Sequence, residues 1–339
     1  MNRDSLPALP LAPNPVWRSY KGGRVLRAFR GQPDTEDNHF PEDWPASTVA
    51  ARNGPYAQKP DEGISSVRWN GRIMTVGELL GKPLGVLMKL LDASTRLQLQ
   101  AHPSRQFVRR YLSGDAGKTE CWYILSTRGP AQVYLGFQHP PERGEWKRMM
   151  QDQDVAGMLA CFDPIPVQPG DCFVVPAGVP HAIGAGIFMV ELQEPSDWVV
   201  RCEARNGELV LPETDRYMGL GLEACLEVFD FTAYATRPAF QQQPHVIAET
   251  ASFTEERVIG PRYENFFRLR RLRGTGPARW EGNEVMVMII TKGEGILSGH
   301  LARQGQTWLL PDCVSEWRWD ARAGDWGILL AQPPQKEVK

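Results

Sequence analysis

The sequence predicts a mainly β protein made of two related barrel-like halves with helices inserted between strands. Three observations carry this expectation. Twenty-eight prolines and 32 glycines are spread along the 339 residues, punctuating short runs instead of long helices. Many of those runs are apolar or alternate apolar with polar residues, as strands do. A turn, a short apolar run and a proline at 170–176 have a counterpart at 306–311, as expected if one architecture occurs twice.

In chain order, 23–29 reads as a strand and 32–38 as a polar loop. A short helix is expected at 76–80, an apolar strand at 86–91 and an alternating one at 96–102. Residues 106–112 read as a helix, and 121–125 and 132–137 as strands. Between 141 and 160 the period changes, and Trp146, Met149, Met150, Val155, Met158 and Leu159 outline two short helices. Their methionines are read as packing residues. Strands resume at 165–167, 172–175, 187–193 and 198–202, and a helical connection follows at 212–229. The last third offers strands at 245–249, 266–272, 284–291, 295–301 and 326–331, then a polar tail.

Composition narrows the functional classes. A formal charge of −2 with 23% charged residues argues against a nucleic-acid binder, which carries a basic face. The arginines at 268–273 read as the solvated face of a strand. Six cysteines without a C-x-x-C pair read as reduced, mostly buried thiols, which favours the cytoplasm. Residues 1–15 lack the apolar centre of a secretion signal, and no run approaches the roughly 18 apolar residues of a membrane span. The expectation is a soluble cytoplasmic protein with no membrane or nucleic-acid partner.

The chemistry concentrates in three stretches. Residues 170–181 form a turn, an apolar strand and a Pro-Ala-Gly turn that delivers His181. In 96–103, strand alternation places Gln100 and His102 on one face. In 117–122, Glu120 opens an aromatic and apolar run. Two imidazoles, a carboxylate and an amide oxygen on neighbouring strands suit a divalent metal with coordination positions left open. The other histidines, His39, His139, His245 and His300, stand alone and receive no role.

Residues 170–181 fit the pattern G-x5-P-x-G-x2-H, which resembles the second motif of the cupin barrel. Ala185 stands where an asparagine often follows, and Gln100 and His102 replace the usual H-x-H pair. Those departures turn the resemblance toward the type I phosphomannose isomerases. The chain is similar to that family at Leu97-Gln98-Leu99-Gln100-Ala101-His102-Pro103 and at Gly117-Lys118-Thr119-Glu120-Cys121-Trp122-Tyr123-Ile124. It is similar again at Pro176-Ala177-Gly178-Val179-Pro180-His181-Ala182, and from Glu191 through Ser196-Asp197-Trp198-Val199-Val200-Arg201. Together these cover about residues 84–205 in the family's order.

The resemblance implies a fold of two cupin (jelly-roll-like) barrels with inserted helices. Residues 1–210 would form a metal-binding domain with helical insertions, 211–240 a helical connection and 241–339 a metal-free second cupin domain. It implies one Zn2+ per chain, held by Gln100, His102, Glu120 and His181. It matches Arg201 to the family's active-site arginine, although Arg201 also reads as a wall partner of Asp197. It marks Glu191 and Lys118 as candidates for proton transfer, and the sequence does not choose between them.

The reaction implied is interconversion of mannose 6-phosphate and fructose 6-phosphate through an enediol. With no glycine-rich loop, the phosphate would rest on Arg or Lys side chains and backbone amides. The implied partner is a small sugar phosphate, and the protein would be a monomer or homodimer. Two alternatives stay open: an isomerase of another or unphosphorylated aldose, and a sugar-sensing cupin without catalysis. Residues 41–47 match the family loosely and are a place for substrate walls.

Overall fold

In the computed structural model, residues 6–33, 36–235 and 237–335 are described. Residues 1–5, 34–35, 236 and 336–339 lie outside them, among them part of the expected loop 32–38 and of the expected polar tail. The strands Leu87–Ala93 and Ile187–Gln193 are buried at every position, and they pair antiparallel along their whole length. Flanking them in one six-stranded sheet are Glu120–Thr127, Cys172–Val175, Glu42–Asp43 and Pro15–Val16. A five-stranded sheet holds Ile165–Val167, Ala131–Leu135, His181–Ile183, Gln100–Ala101 and Val200–Arg201.

Strand alternation decides what each face of the six-stranded sheet does. Leu91, Trp122, Phe173 and Met189 point toward the five-stranded sheet and pack with Val133, Leu135 and Ile183. Met88, Leu90, Val174, Val190 and Leu192 point the other way, onto Val258, Leu269, Val287, Ile289 and Leu329 of the later part of the chain. The same alternation puts Lys89, Glu120 and Glu191 on the side of Leu91 and Trp122, between the first two sheets.

The later residues build a seven-stranded and a four-stranded sheet around a tryptophan-rich core that includes Trp280, Trp308, Trp317, Trp319 and Trp326. The seven-stranded sheet borrows an edge strand from the start of the chain, Leu9–Leu11, which pairs with Thr307–Leu310. The fold is therefore mainly β, as expected, with its larger sheets arranged in two pairs. Helices Val76–Leu80, Arg105–Tyr111, Arg143–Asp152 and Val155–Ala160 form where the sequence places them. No helix among the described residues is long and apolar enough to cross a membrane. The cysteines are free, and all but Cys313 are buried.

Several expectations change. Residues 23–29 are not a strand; Arg24–Phe29 is a helix, entered through Gly23 at φ 91°. Its exposed N–H groups find Asp92, whose carboxylate accepts from Val25 at 2.7 Å and Leu26 at 3.3 Å. The expected strand 295–301 is a hairpin of Glu294–Leu297 and His300–Arg303, because Ser298 and Gly299 both take positive φ. Of 96–102, only Gln100–Ala101 pairs as strand. The arginines of 268–273 are not simply solvated: Arg270 pairs with Glu255 at 2.7 Å, Arg271 with Glu256 at 2.6 Å, and Arg268 is buried against Glu284 at 3.0 Å.

Candidate active site

Strands of both sheets in the first pair meet at one cluster. Register puts His181 opposite Gln100, and Gln100 opposite Arg201, in the five-stranded sheet. Across from them, Glu191 lies between Lys89 and Trp122, and Gln193 lies beside Glu120. His102, Glu120 and His181 are all buried and offer ligand atoms within 4.8 Å of one another. Nε2 of His102 is 3.2 Å from one Glu120 oxygen, and Nε2 of His181 is 3.3 Å from the other.

The ring tautomers are set by backbone carbonyls. Nδ1 of His102 donates to the Trp198 carbonyl at 3.0 Å, and Nδ1 of His181 to the Val179 carbonyl at 2.8 Å. Each ring thus turns an Nε2 lone pair toward Glu120. Burial and the neighbouring Lys118 push the His102 imidazole down to about 3, and burial pushes His181 down as well. Both rings are therefore neutral near pH 7, the form that binds metal.

Ligand atoms roughly 2.1 Å from a tetrahedral zinc are about 3.4 Å apart, close to the 3.2 and 3.3 Å between each imidazole and Glu120. The donor set fits such an ion. Gln100 lies beside it: its side-chain amide is 3.3 Å from His181 Nε2, and a half-turn about its last bond exchanges nitrogen for oxygen there. The indole of Trp122 donates to Glu120 at 3.0 Å and fixes the carboxylate.

Proton-carrying groups lie beside the cluster. The Lys118 ammonium donates to His102 Nε2 and to Glu120, each at 2.7 Å, and is 3.9 Å from Glu191. Burial would raise the Glu120 carboxyl, but Lys118 and the two imidazoles hold it well below the usual range. Glu191 goes the other way. Burial raises it, even though Lys89 donates to it at 2.7 Å.

All seven residues singled out in the sequence come to this place, Arg201 included. The pairing of Arg201 with Asp197 is not found. Asp197 accepts from both Arg18, at 3.1 and 3.2 Å, and the Arg52 backbone N–H at 2.8 Å. Arg201 instead donates to the Asp215 carbonyl at 3.3 Å. Sequence reasoning missed the hub on the opposite wall. Arg18 binds Glu42 at 2.9 Å and Asn53 at 2.8 Å, and Glu42 also accepts from Tyr20 and Trp44. Glu42 and Trp44 lie in 41–47, where substrate walls are expected. One signal was legible: Lys89 is a lone charge inside an apolar run.

No protein-family model matches the chain. It is 35% identical over 198 residues to "Probable mannose-6-phosphate isomerase GmuF" of Bacillus subtilis (strain 168), covering 57% of this chain and 60% of that protein's length. It is 27% identical over 271 residues to "Mannose-6-phosphate isomerase ManA" of the same strain, covering 75% of this chain and 78% of that one. Among solved structures, the mannose 6-phosphate isomerase from Bacillus subtilis superposes with a TM-score of 0.76 at 19% identity, over 96% of this chain and 100% of that one. A mannose 6-phosphate isomerase bound with zinc and yttrium gives 0.63 at 13% identity, over 96% and 99%. Fold and cluster together define a cupin-fold protein. Its curated relatives at 27–35% identity are named mannose-6-phosphate isomerases, and phosphomannose isomerases are among the solved structures that share its fold.

Proposed function

We propose that the chain is a zinc-dependent aldose–ketose isomerase that interconverts mannose 6-phosphate and fructose 6-phosphate in the cytoplasm. One zinc ion would be held by Gln100, His102, Glu120 and His181, all within residues 1–210, with 211–240 as connection and 241–339 as the metal-free half. The observation that carries this reading is the pair of imidazoles whose Nε2 lone pairs converge on Glu120 while Lys118 and Glu191 stand alongside. A purely sugar-sensing protein has no use for proton-transfer groups at that position. The names of the curated relatives support the choice of substrate.

Zinc bound there would supply Lewis acidity toward the substrate's C1 and C2 oxygens. The chain's own groups do the rest. A base takes the proton from C2 of the aldose as negative charge moves onto O1, giving an enediolate; the O2 hydroxyl proton passes to O1, and the base returns its proton to C1 as O2 becomes the carbonyl of the ketose. Glu191, made more basic by burial, suits that role, with Lys89 holding its carboxylate in place. Lys118 is the second candidate. Arg201 can stabilise negative charge on the substrate.

The test is a coupled turnover assay of the zinc-loaded protein against a panel of aldoses and their 6-phosphates, run also in heavy water. Mannose 6-phosphate should be the best substrate, with deuterium entering substrate or product wherever the base exchanges with solvent before returning its proton. Glu191→Gln should abolish turnover with zinc retained, and Lys118→Met should do so only if Lys118 is the base. Sugar binding without turnover of any panel member would establish the sensor reading; turnover of free aldoses alone would replace the substrate.

A further inference from the structure

Beside the metal cluster lies a larger cleft of about 410 Å³, whose lining includes Trp17, Arg52, Tyr56, Trp198, Arg201 and Thr214. It shares Arg18, Asp197 and Arg201 with the small pocket that contains His102, Lys118 and Glu191. The two are therefore contiguous, and a molecule reacting at the cluster can extend into the cleft.

The charges that line it are unequally engaged. Arg18 is fully used, bonded to Glu42, Asn53 and Asp197. Asp197 is in turn neutralised by Arg18 and by the Arg52 backbone. Two guanidinium groups keep spare donors. Arg201 makes a single side-chain bond, 3.3 Å to the Asp215 carbonyl. The Arg52 side chain has no hydrogen bond or ion pair among the described residues, and its guanidinium carbon lies 3.2 Å from the centre of the Trp198 ring. Stacking on an indole leaves the edge of a guanidinium, where its N–H donors lie, free to meet an anion.

The Arg52 backbone is tied to Asp197, and Trp17 and Tyr56 stack on the cleft wall with centroids 5.0 Å apart and planes at 8°. A cleft of about 470 Å³ on the other side of Ser19 differs. Its Arg96 is already taken by both oxygens of Glu203, at 2.6 and 2.8 Å.

We propose that Arg52, together with Arg201, clamps the phosphate of the substrate in the first cleft and sets the preference for a phosphorylated over a free sugar. Planar forks from two sides match the tetrahedral oxygens of a phosphate monoester. The inference rests on the isomerase reading for its substrate, but the anion site is measurable without turnover.

Inorganic phosphate titrated calorimetrically into the zinc-loaded protein reads the site directly. Arg52→Ala should weaken phosphate binding by about 10- to 100-fold, the worth of a charge-assisted hydrogen-bonded pair. Arg52→Lys should recover part of it. In turnover, the ratio of kcat/KM for mannose 6-phosphate to that for free mannose should fall by a similar factor in Arg52→Ala, mainly through KM. Circular dichroism and zinc content should match the parent, since the Arg52 side chain lies on the surface of the cleft. Lys21→Ala and Arg205→Ala, on the far cleft, should leave phosphate binding unchanged. Unaltered phosphate affinity in Arg52→Ala, or a loss seen in the Lys21 or Arg205 variants instead, overturns the assignment. A parent that binds phosphate through Arg52 but isomerises no sugar would refute the isomerase reading and leave the anion site standing.

Discussion

His102 and His181 each spend one ring nitrogen on a backbone carbonyl, so the other nitrogen has a fixed direction and no need of a proton. Gln100 is held less firmly, with one long contact to His181. An amide oxygen is also a weaker donor to zinc than an imidazole nitrogen. His181→Ala should therefore abolish tight zinc binding, whereas Gln100→Ala should weaken it by roughly 10- to 100-fold, the scale at which supporting groups act. Competition against a zinc chelator measures both. Equal affinity in parent and His181→Ala would remove His181 from the ligand set. These residues were legible in the sequence because each lies in a short local pattern whose spacing survives without knowledge of the fold. Arg18 and Glu42 were not, because their meaning depends on contacts with Asp197 and Lys89, far along the chain.

Elements whose side chains alternate between two packed faces were readable for the same local reason. The strands Cys172–Val175 and Ile187–Gln193 form at their expected limits. The hairpin Ser66–Trp69 and Arg72–Thr75 also had a signal, the Asn70-Gly71 pair with φ of 47° and 74°, which sequence reading passed over. The helix Arg24–Phe29 had none within its own window. Its start is fixed by Asp92, on the strand Leu87–Ala93, which also binds Arg128 at 2.7 and 2.8 Å. Asp92 is fully buried, so its loss leaves helix N–H groups and a guanidinium short of an acceptor. Asp92→Ala should cost about 2–4 kcal/mol of stability, and Asp92→Asn less, because one oxygen remains to accept. Denaturant unfolding followed by circular dichroism measures both, and a cost below about 0.5 kcal/mol would show that the helix needs no such cap.

At the scale of the whole molecule, the counterpart stretches at 170–176 and 306–311 suggested two related halves, and the packing ties them together. The six-stranded sheet sends Met88, Leu90, Val190 and Leu192 into one core with Val258, Val287, Ile289 and Leu329. Leu9–Leu11, at the opposite end of the chain, completes the edge of the later seven-stranded sheet. A hydrogen bond from Arg271 to the Tyr123 hydroxyl at 3.0 Å joins the same two sheets. A fragment of residues 241–339 would lose its edge strand and expose that apolar face to water. Burying each such side chain is worth about 1.5–3 kcal/mol, and a few of them exceed the net stability of an ordinary domain. The fragment alone should therefore aggregate or remain partly unfolded. The full chain should unfold in one cooperative step, with near-ultraviolet and far-ultraviolet circular dichroism changing together. Adding zinc should move the whole transition upward, not one phase of it, because binding to the first pair of sheets stabilises everything that unfolds with them. Two resolved transitions, only the earlier of which responds to zinc, would mean that the shared core does not couple the halves.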